Sequence, residues 1–119
     1  MTLKRGEIFF AELNPVQCSE QSGTRPVLVV QNDVGNSHSP TTIVLPITSK
    51  LDKARLPTHV SLRPEESGLA KDSVVLAEQI RTIDKLRLQQ KIAALDPVTM
   101  NRIDHAIGIS MGILNNDNF

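Results

Sequence analysis

Aromatic residues are scarce in this chain of 119 residues, which contains three phenylalanines and neither tryptophan nor tyrosine. RNA-binding modules that stack successive bases need several exposed aromatic rings. The composition therefore excludes a stacking platform of that kind. Any recognition of RNA by this chain must depend on hydrogen bonds, arginine planes and shape.

Cysteine is rare, and the chain has neither a net charge nor long apolar runs. The single cysteine allows no internal disulfide, which suits a reducing compartment. The 13 basic residues balance 13 acidic residues, so nonspecific coating of nucleic acid is not expected. We find no leader-like segment and no apolar run of membrane-spanning length. We expect a soluble, cytoplasmic protein without membrane contact, folded as one domain over residues 1–119.

The apolar pattern predicts a mainly β fold with helical additions. Strands are predicted at 6–13, 26–32, 41–48, 60–62, 73–79 and 90–95. Because its apolar run is continuous, the segment 26–32 is expected to be buried on both faces. Pro46 interrupts its strand and predicts an edge or a bulge there. Between the strands we predict a turn at 35–40, a turn or one helical turn at 64–68, and a short helix at 84–88.

The last element is predicted to be an amphipathic helix. Asp96 is a good N-cap, and Pro97 occupies the first helical position. Apolar residues follow at three- and four-residue spacings, which predicts one stripe packed on the sheet: Met100, Ile103, Ala106, Ile107, Met111 and Leu114. Short strands followed by one terminal helix favour a small, partly open barrel.

The residues 19–33 are the most informative segment for function. A polar loop that carries Glu20 and Arg25 leads directly into an apolar strand. Pro26 biases the backbone of Arg25 toward an extended conformation and so limits where its side chain can point. Loops held by a rigid scaffold often carry binding and catalytic groups.

Several segments together resemble a known family. They are Ser19-Glu20-Gln21 with Arg25-Pro26-Val27, Pro46-Ile47-Thr48, Leu56-Pro57-Thr58-His59-Val60, and the run from Asp72 to Lys85. In this order they resemble the MazF/PemK family of toxin endoribonucleases over nearly the whole chain. The resemblance implies a small SH3-like barrel of the MazF/CcdB type with a C-terminal helix.

The same resemblance implies a function. The chain would be the toxin of a type II toxin–antitoxin system, a sequence-specific, metal-independent endoribonuclease that inhibits translation and growth. It would cut single-stranded mRNA to 2′,3′-cyclic phosphate and 5′-hydroxyl ends. A homodimer, no cofactor, and an acidic MazE-like antitoxin whose extended tail blocks the RNA groove are also implied.

Residue roles follow from chemistry and from the resemblance. Arg25 offers a forked, permanently cationic clamp for phosphate, and Thr48 a hydroxyl donor. Glu20 is interpreted as a proton acceptor or as a group that orients Arg25. The predicted RNA-binding residues are Gln79, Arg81, Asn32, Ser73, Ser19 and His59. No Cys or His cluster has metal-ligand spacing, so no metal site is predicted.

Two other function classes stay open at this point. One is a non-enzymatic toxin on the same barrel that binds a topoisomerase, because a fold does not fix a function. The other is an RNA-binding regulator without turnover, since Cys18 stands where the family pattern usually has glycine. The basic stretches 50–63 and 81–91 are interpreted as solvated faces unless the chain binds RNA.

Overall fold

A computed structural model describes residues 2–13, 23–50 and 55–115 of the chain. The strands are β1 (Glu7–Leu13), β2 (Gly23–Val29), β3 (Thr41–Thr48), β4 (His59–Leu62), β5 (Ser73–Leu76), β6 (Arg81–Asp84) and β7 (Leu88–Ala94). The helices are α1 (Asp33–His38), α2 (Pro64–Ser67), a 3-10 turn (Lys85–Arg87) and α3 (Pro97–Ser110). The predicted mainly β fold with a C-terminal helix is confirmed.

The strands form one curved antiparallel sheet in the order β4-β5-β3-β2-β1-β7, and β6 pairs with β3 beside this path. The strand β3 is shared by three neighbours. It pairs with β2 through Val44–Pro46, with β6 through Thr41–Val44, and with β5 through Ile47 and Thr48. Pro46 therefore lies inside a central strand, so the predicted edge is wrong. It is tolerated because it falls at the break where β3 changes partner from β6 to β5.

The two faces of the sheet carry separate apolar clusters. Leu28 enters the cluster that α3 covers, together with Leu45 and Ile103. Val27 and Val29, its neighbours in sequence, enter the other cluster. Alternate side chains of a strand point to opposite faces, so the prediction that this strand is buried on both faces is confirmed.

The helix α3 begins as predicted. The Asp96 carboxylate accepts the Thr99 N–H at 2.7 Å, and Pro97 follows at the first helical position. The predicted apolar stripe holds through Met100, Ile103 and Ala106, which are all buried. It fails at Met111 and Leu114, which are exposed because the helix has already ended at Ser110.

The prediction of a turn at 35–40 is wrong in part, because residues 35–38 belong to α1. Asn36 on this helix is buried, and its side-chain oxygen accepts from Gln31 and from Thr42. Its side-chain amide donates to the Gln31 carbonyl at 2.9 Å. These partners stabilise a helix that its own residues do not favour.

Two strand ends differ from the predictions, and one further strand was not predicted. The strand predicted at 26–32 ends at Val29, because Asn32 caps α1. The strand predicted to reach residue 79 ends at Leu76 and is followed by a turn. The strand β6 over Arg81–Asp84 was not predicted, since its four residues are mostly polar and pair with a distant part of the chain.

Candidate active site

A cavity of about 290 Å³ opens at one end of the sheet, between β2 and β3. The last cross-strand pair that joins these strands at this end is Val27 with Pro46. Beyond it, β3 pairs with β5 instead. The cavity lies in this fork. Its lining consists of Arg25, Pro26, Ile47, Thr48, Ser49, Lys50, Leu69, Ala70, Lys71 and Ser73.

Two predicted catalytic residues line the cavity together. Arg25 is the third residue of β2 and is exposed, whereas Thr48 is the last residue of β3 and is buried. The Thr48 hydroxyl oxygen accepts the backbone N–H of Lys50 at 3.1 Å. This bond leaves the hydroxyl hydrogen of Thr48 to donate to another group. A guanidinium and a hydroxyl donor thus line the same cavity.

The charged residues among the described lining of the cavity are all basic. Arg25, Lys50 and Lys71 all line it, and none of the described lining residues is acidic. Apolar side chains of Pro26, Ile47 and Leu69 complete the wall. Cations beside a low-dielectric wall attract anions strongly. This arrangement suits a phosphate group.

Ser73 also lines the cavity, at the start of β5. It is buried, and its hydroxyl donates to the Lys71 carbonyl at 3.0 Å. Of the other predicted site residues, Glu20 and Ser19 lie outside the described residues.

The remaining predicted RNA-binding residues lie elsewhere. Asn32 caps α1 beyond the opposite end of β2 and accepts the Gly35 N–H at 2.8 Å. Arg81 pairs with Val44, four residues before Thr48 along β3 and therefore roughly 13 Å away. Gln79 precedes Arg81 in the turn after β5 and is partly buried. None of these three residues lines the cavity of Arg25 and Thr48.

His59 has partners on both ring nitrogens. Its Nδ1 accepts the Leu56 N–H at 3.3 Å, and its Nε2 lies 2.9 Å from Glu78. Since Nδ1 is an acceptor, Nε2 carries the hydrogen and donates it to the carboxylate. Thr58 donates to the second oxygen of Glu78 at 2.9 Å. This network ties the segment before β4 to the turn after β5.

Lys50 and Lys71 are the lining residues that sequence reasoning missed. The sequence places Lys50 within a basic stretch, and its position two residues after Thr48 is the signal that could have identified it. Lys71 carried no local signal. It reaches the cavity because β5 pairs with the end of β3.

Comparisons with known proteins identify the class. Residues 4–111 match a family described as PemK-like, MazF-like toxin of type II toxin-antitoxin systems. The chain therefore belongs to this family of toxins, and the predicted family is confirmed.

The particular relatives are close to this chain in length, and their sequence identity to it ranges from 24% to 54%. Endoribonuclease EndoA of Bacillus subtilis (strain 168) is 54% identical over 114 residues, which are 96% of this chain and 98% of that protein. A mycobacterial endoribonuclease solved in complex with its cognate antitoxin is 25% identical, with a TM-score of 0.79 over 96% of this chain and 99% of that chain. MazF of Deinococcus radiodurans, 24% identical over 94% of this chain and 98% of its own, shares the fold with a TM-score of 0.78.

Two further observations concern metals and membranes. Within residues 2–13, 23–50 and 55–115, no group of three or more His, Cys, Asp or Glu side chains is placed to hold a metal ion. None of the helices in the described part of the chain is long and apolar enough to cross a membrane.

Proposed function

We propose that this toxin is an endoribonuclease that cuts single-stranded mRNA at the cavity between β2 and β3, without a metal ion. The enzyme class rests on the family and on the 54% identity to an endoribonuclease. The observation that carries the site is the shared cavity of Arg25 and Thr48, whose other charged lining residues in the described part of the chain are both lysines. The three described cations attract the anionic oxygens of a phosphodiester chain, and the hydroxyl can donate a hydrogen bond to one of them.

RNA supplies its own nucleophile, the 2′-hydroxyl beside the phosphate. Its oxygen bonds to phosphorus, the bond from phosphorus to the 5′-oxygen breaks, and the products are a 2′,3′-cyclic phosphate and a 5′-hydroxyl. One proton leaves the 2′-oxygen and one is delivered to the 5′-oxygen. The protein must therefore stabilise the added negative charge on the phosphorane and handle these two protons.

Arg25 stabilises the charge. Its guanidinium donates two parallel hydrogen bonds to phosphate oxygens and keeps its positive charge throughout. Thr48 donates its remaining hydroxyl hydrogen to a phosphate oxygen. Donors of this kind accelerate the step when they bind the transition state more tightly than the substrate. Glu20, which lies outside the described residues, is proposed from the sequence to accept the 2′-hydroxyl proton or to orient Arg25.

The remaining RNA contacts are proposed at the residues predicted from the sequence. Gln79 reads a base edge, Arg81 contacts phosphate or a base face, and Asn32, Ser19 and His59 make weaker contributions. Ser73, the sixth residue of this set, lines the cavity itself. Arg81 and Asn32 lie outside the cavity, so they would contact nucleotides several positions from the cut.

The partners and the compartment follow from the family. A type II system pairs the toxin with a protein antitoxin, and the mycobacterial relative was solved with its cognate antitoxin. We propose that an acidic, extended antitoxin tail covers the cationic cavity of this chain and so excludes RNA. We further propose a cytoplasmic homodimer. Sedimentation equilibrium would check the homodimer.

The deciding experiment uses pure toxin and a long single-stranded RNA in excess EDTA. Discrete cuts with 5′-hydroxyl ends, absent in Arg25→Ala, are the expected result. Circular dichroism must show that the variant is folded. Intact RNA with folded wild-type toxin would overturn the nuclease and would favour a toxin that acts by binding a protein.

A further inference from the structure

We propose that Lys71 is an additional RNA-binding residue, that its ammonium contacts a phosphate next to the one that is cut, and that Ser73 holds it in place. This inference rests on the proposed RNA cleavage at the cavity. Lys71 is exposed and lines the same cavity as Arg25 and Thr48. Nothing in the local sequence marks this lysine as part of a site.

The segment that carries Lys71 is fixed at its beginning. Gly68 ends α2 in the left-handed conformation, with φ of +74°. Its N–H donates to the Pro64 carbonyl at 2.9 Å. The next amide, that of Leu69, donates to the Ser67 hydroxyl at 3.0 Å, and Ser67 is fully buried. The wall over 68–71 therefore starts from a buried anchor.

The segment is also fixed at its end. The Ser73 hydroxyl donates to the carbonyl of Lys71 itself at 3.0 Å. Ser73 is only 3% exposed, and it pairs with Leu62 at the start of β5. Because this bond uses the only hydroxyl hydrogen of Ser73, the residue cannot also donate to a phosphate. Its role is to set the position of the lysine backbone.

The charge around Lys71 distinguishes it from an ordinary surface lysine. Arg25 and Lys50 line the same cavity, and no carboxylate is among its described lining residues. Together these three cations attract a polyanion. A phosphodiester chain offers several anions in succession, so one phosphate would meet Arg25 and a neighbouring phosphate would meet the ammonium of Lys71.

Lysine is suited to this position for a specific reason. Its ammonium is a compact point charge on a flexible stem, which tolerates different backbone geometries of single-stranded RNA. Binding to the neighbouring phosphate persists in both ground and transition states, so it lowers KM with little effect on kcat. It also releases a condensed counterion, which makes binding depend on salt.

The test uses an RNA oligonucleotide that contains a site cut by the wild-type toxin. Lys71→Met removes the charge and keeps the stem, and Lys71→Arg keeps the charge. Lys4→Met is the matched control, since Lys4 is exposed and does not line the cavity. We expect Lys71→Met to raise KM about fivefold to tenfold at 0.1 M salt with kcat within twofold. The slope of log(kcat/KM) against log salt should become shallower by about 0.7, the value for one phosphate contact on a single strand.

Lys71→Arg should restore both KM and the slope, and Lys4→Met should match the wild type. The positioning role of Ser73 is tested by a double-mutant cycle. Ser73→Ala should raise KM in the wild-type background and change nothing further in Lys71→Met. An equal effect of Ser73→Ala in both backgrounds would overturn the positioning role.

The outcomes separate this inference from the proposed function. If Lys71→Met gives the KM and salt slope of Lys4→Met while the RNA is still cut, Lys71 is not an RNA contact and the nuclease stands. If the folded wild-type toxin cuts no RNA, the nuclease itself fails. A thermal melt on each variant excludes loss of folding as the cause of a raised KM.

Discussion

Arg25 and Thr48 lie on neighbouring strands, yet both are beyond the last cross-strand pair that joins those strands. The ladder between β2 and β3 ends at the pair Val27 and Pro46. Arg25 and Thr48 line the cavity that opens beyond this pair. Thr48 is instead paired with Val74 of β5. The side chains of Arg25 and Thr48 therefore line a space where β2 and β3 are no longer paired with each other.

The planar guanidinium of Arg25 can donate two parallel hydrogen bonds, so we predict that a positive charge alone at this position does not support full cleavage activity. Arg25→Lys keeps one positive charge and loses the parallel pair of donors. We expect kcat/KM for RNA cleavage to fall by about 10-fold to 100-fold in Arg25→Lys, and by about 100-fold to 1000-fold in Arg25→Ala. Single-turnover cleavage of a labelled oligonucleotide measures both. Equal activity of Arg25→Lys and the wild type would show that only the charge matters.

The hydroxyl of Thr48 is tested by replacements of matched shape. Thr48→Val removes the oxygen and keeps the volume, whereas Thr48→Ser keeps the oxygen. We expect Thr48→Val to lower the cleavage rate by about 10-fold to 100-fold and Thr48→Ser to stay within about threefold of the wild type. Because Thr48→Val also leaves the Lys50 N–H without its acceptor, a thermal melt should accompany the rates. Unchanged cleavage by a folded Thr48→Val would remove Thr48 from the mechanism.

Gly68 and Gly112 form a natural pair for separating backbone strain from crowding. Both have left-handed φ values, +74° and +75°, so alanine is strained at each by about 1 kcal/mol. A Cβ on Gly68 would lie 3.1 Å from side-chain atoms of Ala93 and Ile92, whereas none lies within 4 Å at Gly112. We expect Gly68→Ala to destabilise the fold by roughly 1–3 kcal/mol more than Gly112→Ala in urea unfolding. Equal losses of stability in the two variants would mean that Ile92 and Ala93 shift to make room for the added Cβ at little cost.

Asp96 predicts a change of stability with acid. The N–H of Thr99 donates to its carboxylate and lowers the pKa of Asp96 below its usual range. The unfolded chain therefore binds more protons than the folded chain below about pH 4. The stability that the carboxylate contributes is complete above that pH and is lost as pH falls through the folded-state pKa.

Asp96→Asn is the matched variant, because asparagine caps a helix about as well and does not titrate. Urea unfolding of both proteins between pH 2 and pH 7 should show a smaller loss of stability toward acid in Asp96→Asn. Asp33 has a pKa lowered by the Arg5 amide and then by Asn36, so it contributes the same trend in both proteins. Parallel curves for the two proteins would contradict the prediction.

The contacts of the His59 ring predict that its removal lowers the stability of the fold, apart from any effect on RNA binding. Its side chain is 6% exposed and joins Leu56 to Glu78. We expect His59→Ala to lower the free energy of unfolding by about 1–3 kcal/mol, since it removes a nearly buried ring together with its hydrogen bonds to the Leu56 N–H and to Glu78. A melt without RNA measures this cost. A wild-type melting temperature together with weaker RNA binding would instead support the predicted RNA contact.

Most of the fold was accessible from local patterns. The start of α3 followed from Asp96 and Pro97, and the burial of β2 on both faces followed from its continuous apolar run. The helix α1 was missed because its stabilising partners, Gln31 and Thr42, act through a buried side chain of Asn36. A network of this kind depends on contacts that no helical periodicity records.

The site divides in the same way. Arg25 was predicted from its place before Pro26 together with the family resemblance, and the structure brings it to one cavity with Thr48. Lys71 could not be predicted, since it reaches that cavity only through the pairing of β5 with the end of β3. The predicted contribution of Glu20 concerns a residue outside the described part of the chain and stays a prediction.

The fork between β2 and β3 has a consequence for control of the toxin. The strands that carry Arg25 and Thr48 are held by pairing with β1 and with β5, and neither pairing depends on a substrate. A ligand shifts a protein between two conformations only if it binds one of them more tightly, and the paired strands hold these two residues in one arrangement. We expect silencing to require a stoichiometric occupant, and the lag before growth arrest to follow the lifetime of that occupant in the cell.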